Sequence, residues 1–83
     1  MIKFEVTMES GKVVQSIADE YLLHLAGIEL DRGAEPSELD IYKCITFNKV
    51  FMGKDSDGNK LLCVASKVET IRKITPKEWF KNS

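Results

Sequence analysis

The sequence has no apolar run longer than the five residues Leu61-Leu62-Cys63-Val64-Ala65, and only two cysteines, two prolines and one histidine in 83 residues. Each scarcity excludes something. A membrane-spanning helix needs about 20 consecutive apolar residues, so no span is expected. The start, Met1-Ile2-Lys3-Phe4-Glu5-Val6, alternates apolar and charged residues and has no basic segment leading into an apolar block. It does not read as a secretory leader, and a cytoplasmic location is the default expectation. Two thiols are too few for a secreted disulfide scaffold, so Cys44 and Cys63 are expected to be reduced, small and buried. With His24 they also fall short of the four ligands of a structural zinc site, and no metal or cofactor is expected. Five scattered glycines make no phosphate cradle.

What remains is 43% apolar and 30% charged, with a formal net charge of −1. At this length residues 1–83 form one domain, with a folding free energy of about 4–12 kcal/mol by per-residue scaling. A large internal reaction chamber would use up much of that stability. The near-neutral total hides a division. Residues 1–42 carry three bases against nine acids, and residues 43–83 carry nine bases against four acids. Either the two halves interleave and complement each other, or one of them faces a charged partner. Lysine outnumbers arginine ten to two and there are seven isoleucines, which points to an AT-rich bacterial or phage coding source.

Ile2, Phe4, Val6 and Met8 alternate with polar residues, which is the pattern of a strand with one buried face. Ser10-Gly11-Lys12 is a turn, with Val13-Val14 a brief extended continuation. Ser16, with Asp19 three residues on, reads as a helix start. Ile17, Tyr21, Leu25 and Ile28 then form an apolar stripe on a helix over residues 16–32, with Gly27 able to shorten it and Gly33 as the stop. Residues 33–38 are a polar loop, with one helical turn admitted from Pro36 to Asp40. Ile41 to Met52 is rich in β-branched and aromatic residues and predicts one long or bent strand. Asp55-Ser56-Asp57-Gly58-Asn59 predicts a hairpin turn into a strand at Lys60 to Ala65, with paired residue numbers summing to about 113. Val68 to Ile74 adds the third strand of this meander. Thr75-Pro76-Lys77-Glu78 is a capping-box pattern that opens a short terminal helix carrying Trp79 and Phe80, which are expected to dock on their own molecule.

The fold this predicts is α+β: an antiparallel sheet in the order β-α-β-β-β plus a short C-terminal helix, packed against one amphipathic helix. The alternative is a small barrel with an inserted helix. The hairpin followed by Ser66-Lys67-Val68-Glu69-Thr70-Ile71 resembles the closing part of an SH3-like or Sm-like barrel.

No catalytic constellation is legible. The acids fall on faces expected to be wet, and neither cysteine lies beside the histidine, so the protein reads as no enzyme. The leading expectation is a non-enzymatic interaction or regulatory accessory protein with a protein partner. It would present the acidic surface of Glu29, Asp31, Glu35 and Glu38 to a larger macromolecule, in the manner of phage- or mobile-element-encoded inhibitors, and homodimerisation is a further option. The alternative is a nucleic-acid-binding domain using the basic C-terminal sheet, with Lys49, Lys54 and Lys60 as contacts.

Overall fold

The computed structural model describes residues 2–80. Strands β1 (Ile2–Met8) and β2 (Val13–Ala18) are followed by helices α1 (Glu20–Leu25) and α2 (Glu38–Asn48), then by β3 (Val50–Lys54), β4 (Lys60–Val64) and β5 (Val68–Lys73). The five strands form one antiparallel sheet in the order β4-β3-β2-β1-β5. The α+β class therefore holds, with one more strand and one more helix than the sequence predicted.

β1 and β2 pair from Ile2↔Ala18 to Thr7↔Val13. Gly11, at φ 88°, lets its amide donate back to the Met8 carbonyl at 2.8 Å and closes the turn. β4 and β5 are the two edges of the sheet, yet only a three-residue 3₁₀ turn, Ala65–Lys67, joins them. In a flat sheet those edges would lie about 19 Å apart. Four Cα steps reach at most about 14 Å. The sheet must therefore curl, towards a barrel whose edges do not pair among the described residues.

The cavity of this curl is filled by Phe4, Val6, Val14, Ala18, Cys63 and Ala65 from the sheet side and by Ile41 and Ile45 from α2. Phe4 and Phe51 meet with ring centroids 6.1 Å apart. Gly53 sits where a Cβ would come within 3.1 Å of the Val14 side chain, so glycine permits the close approach of β3 to β2.

Two element assignments differ from those the sequence predicted. The helix expected over residues 16–32 is β2 up to Ala18, a six-residue helix, and then a loop. Asp19, not Ser16, is its N-cap, accepting from the Leu22 amide at 2.8 Å. Gly27, at φ 78°, ends it through paired bonds from the Gly27 amide to the His24 carbonyl and from the Ile28 amide to the Leu23 carbonyl. Tyr21 is 68% exposed and Leu25 also faces solvent, so neither belongs to the core. The strand predicted at residues 41–52 is mostly helix. Ser37 and Asp40 form a reciprocal capping box, and Ile41, Cys44 and Ile45 then fall on the buried face. Core burial of that face outweighs the β propensity of its residues.

α2 ends at Lys49, whose φ of 68° makes it the one non-glycine residue with positive φ among those described. That backbone is held by the Lys49 amide on the Thr46 carbonyl and by the Ala65 amide on the Lys49 carbonyl. A side chain at this conformation costs of order 1 kcal/mol. Lys49→Gly is expected to raise stability by about 0.5–1 kcal/mol in urea denaturation, with the far-ultraviolet circular dichroism spectrum unchanged.

The later expectations hold in part: β5 pairs with β1 and not with β4, so it is not the third strand of a meander, and Trp79 and Phe80 lie beyond the terminal helical turn and not on it. The β3–β4 hairpin forms with Asp55–Asn59 as its turn, and its register, Val50↔Val64 and Phe51↔Cys63, lies one residue from the predicted sum. Thr75 and Glu78 form the predicted capping box, over a single 3₁₀ turn, Pro76–Glu78.

Candidate interaction surfaces

The thiols come first, as the strongest nucleophiles in the chain. Cys44 and Cys63 are both free and buried. Burial pushes both thiols above the ordinary cysteine range, so neither is poised as a thiolate at neutral pH. His24 lies on the exposed side of α1, and no group of three or more metal-ligating side chains converges among the described residues.

Acids and bases of the two halves do interleave. Arg72 binds Glu5 at 3.0 Å, Lys67 lies 3.9 Å from Glu9, Lys12 lies 3.7 Å from Asp55 and Lys73 lies 4.0 Å from Glu35. Every one of these pairs joins a residue before position 43 to one after it. Part of the charge division is therefore internal complementation.

The connector between the helices takes part in this pairing only through Glu35. Residues 26–37 contain no regular element, a length at which a loop in a compact domain is commonly functional. Glu29, Asp31 and Glu35 lie on it, Glu38 opens α2, and all four are exposed. Among the described residues Glu35 alone of the four has an ion-pair partner, and that pair is long. Glu29 and Asp31 also border an open cleft of about 620 Å³, shared with Glu20, His24 and Arg32. The four predicted acids are thus exposed along one stretch of chain, but Glu29 and Asp31 border one cleft and Glu35 another, beside Lys3 and Lys73.

The three lysines are not gathered. Lys49 and Lys60 are exposed at opposite ends of the hairpin, at the start of β3 and of β4. Lys54 is buried: its Nζ donates to the Phe80 carbonyl at 3.0 Å and stands 4.4 Å from the centre of the Trp79 ring. Lys3 Nζ lies 4.8 Å from the same ring, so two ammonium groups stand within cation–π reach of Trp79.

Trp79 and Phe80 belong to a strap that the sequence placed against its own molecule but could not place on the sheet. Its anchor is Gln15, which is 1% exposed although it points from β2 towards the outer face. The Gln15 amide nitrogen donates to Glu5 Oε2 at 2.9 Å and to the Glu78 carbonyl at 2.8 Å, and its oxygen accepts from the Phe80 amide at 2.6 Å. Arg72 links Glu5 and Glu78 alongside. A glutamine in the middle of a strand is a weak signal, and only the tertiary partners give it meaning.

Sequence reasoning also missed an apolar outer face. Ile17 on β2, Val50 and Met52 on β3, and Leu62 and Val64 on β4 are all exposed. Val50 faces Val64 and Met52 faces Leu62 across the hairpin. The signal was present in the five-residue apolar run at Leu61–Ala65, because a strand apolar at successive positions has no polar face to give to water.

Several carboxylates are tuned by local bonds. Backbone donation from Ser37 holds Asp40 below the ordinary carboxylate range. For Asp55, desolvation favours the neutral acid, but amide donation from Asn59 and Asp57 and the nearby Lys12 outweigh it and lower its pKa. Glu78 is lowered by the Thr75 amide and by Arg72. All three bind a proton more weakly in the fold than in the unfolded chain. Their contribution to stability is present above the unfolded carboxylate pKa of about 4 and is lost as pH falls through the lower folded values. The melting temperature is therefore expected to be flat from pH 7 to about pH 5 and to fall below about pH 4. Asp55→Asn should shrink that acid-side drop when melting is followed against pH.

Comparison with family models, curated proteins and solved structures finds no match to this chain. The functional reading therefore rests on the surfaces just described.

Proposed function

We propose that this chain is a non-enzymatic accessory protein that acts by docking on a larger protein, with the acidic connector Glu29–Glu38 as its contact. The observation that carries this reading is the connector itself. It is long, irregular and exposed, and Glu29, Asp31 and Glu38 have no ion-pair partner among the described residues. Unneutralised carboxylates grouped on one loop suit a basic groove, including one that otherwise holds nucleic acid, which is how an inhibitor of a nucleic-acid enzyme from a phage or mobile element would work. The buried, raised thiols support a role without bond chemistry.

The test is affinity capture by the tagged chain from its native host's lysate, with and without nuclease. It is followed by association kinetics of the captured protein with a variant carrying Glu29→Gln, Asp31→Asn, Glu35→Gln and Glu38→Gln. The wild-type chain is expected to retain a protein after nuclease treatment. The variant should associate about tenfold or more slowly at low salt and lose its salt dependence. Unchanged kinetics would refute the acidic contact. Capture abolished by nuclease would favour direct nucleic-acid binding by the sheet, a reading that requires Lys54 to leave the Trp79 and Phe80 contacts.

A further inference from the structure

We infer that the chain pairs with a second copy of itself, β4 to β4 and antiparallel about a two-fold axis near Leu62, so that two curled sheets join into one. This goes beyond the acidic-connector reading and does not depend on it.

The two edges of the sheet are unlike. β5 carries Glu69, Arg72 and Lys73, the kind of charged edge that discourages strand addition. β4 carries Lys60 at its start and then no charge as far as Val64. On the side of β4 away from β3, half of the backbone amides and carbonyls have no strand partner. That edge borders an open cleft of about 560 Å³, with Met8, Glu9, Ser10, Lys12 and Lys67 across from it.

The outer face of the same hairpin is apolar. Leu62 is 66% exposed and Met52 56%, and Val50, Val64 and Ile17 extend the patch. Together these five side chains present on the order of several hundred Å² in one piece, near the upper limit for a monomer. A strand apolar on both faces and unpaired along one edge has the composition of an internal strand, while holding an outer position.

A second copy suits this edge better than a foreign peptide does. Antiparallel self-pairing about Leu62 sets Leu62 against its own counterpart and Lys60 against Val64 of the second copy. No like charges then meet, and the two apolar patches become continuous. The net charge of −1 offers little repulsion between copies.

The experiment is light scattering coupled to size exclusion, and sedimentation equilibrium, across a concentration series for the wild type and for Leu62→Lys. This substitution puts like charges opposite each other at the two-fold axis, at a site exposed enough to leave the fold intact, which circular dichroism and thermal melting would verify. The wild type should reach twice the 9.4 kDa chain mass as concentration rises, and the variant should stay at the single-chain mass throughout. A second pair of variants fixes the geometry: Leu62→Cys should cross-link chain to chain under mild oxidation, whereas Tyr21→Cys, exposed on α1, should not. A wild type that stays at the single-chain mass at every concentration overturns the inference. So does a dimer that persists in Leu62→Lys, or equal cross-linking of the two cysteine variants.

Discussion

Ile41→Ala is expected to lower folding stability by about 2–5 kcal/mol, the range for truncating a fully buried aliphatic side chain. Ile41 is 0% exposed and joins α2 to the cluster built on Phe4, Val6 and Val14. Three side-chain carbons leave a space that the curled sheet cannot close, because β1 and β2 are tied to each other along six paired positions. At about 4–8 °C per kcal/mol for a domain of this size, melting should fall by roughly 8–40 °C. The matched control is Tyr21→Ala. Because Tyr21 is exposed, its loss should stay within about 0.5 kcal/mol. Urea denaturation of the two variants checks both values. If Tyr21→Ala proved the more damaging, α1 and not α2 would be the helix that seals the sheet.

The second large effect is expected at Gln15. Gln15→Ala removes three hydrogen bonds that join β1, β2 and the strap. At about 0.5–1.5 kcal/mol each, and because they fail together, their loss should amount to about 2–4 kcal/mol. The change should also be local before it is global. Without Gln15 the Glu78 carbonyl and the Phe80 amide lose their anchor, and Trp79 leaves its place beside Lys3 and Lys54. Trp79 is the only tryptophan, so its fluorescence reports the strap alone. The emission maximum is expected to move to the red and quenching by iodide to rise at denaturant concentrations well below global unfolding. Loss of fluorescence and of circular dichroism at one midpoint would show that the strap is not a separable element.

Both effects depend on residues whose roles become visible only in three dimensions. Ile41 lies in a stretch, Ile41 to Met52, whose β-branched and aromatic content reads as strand. Leu39, Tyr42 and Phe47 leave α2 apolar on its outer side as well, so no clean 3.6-residue period stands out from that run. Ile17 belongs to a convincing helical stripe with Tyr21 and Leu25, yet the β1–β2 pairing draws it into the sheet and turns it outward. Of the surfaces, the acids of the connector were legible because charge is a local property, but its extent was not, since residues 26–32 read as the end of a helix. The apolar hairpin face was half legible, as a run with no polar side. The Gln15 anchor was not legible, since its partners lie 10, 63 and 65 residues away along the chain.

By itself the amino-acid order determined the first strand, the Ser10-Gly11 turn, the Asp55–Asn59 hairpin and the Thr75–Glu78 box, which rest on bonds and backbone preferences spanning a few residues; it misplaced the first helix cap at Ser16 and did not foresee the Ser37–Asp40 box. Only the tertiary structure decided that residues 16–18 are strand, that residues 41–48 are helix, and which face each shows to the core. Those choices depend on which distant edge offers hydrogen-bond partners and which apolar hollow must be filled. Such non-local contributions exceed the fraction of a kcal/mol per residue by which propensity favours one state over the other.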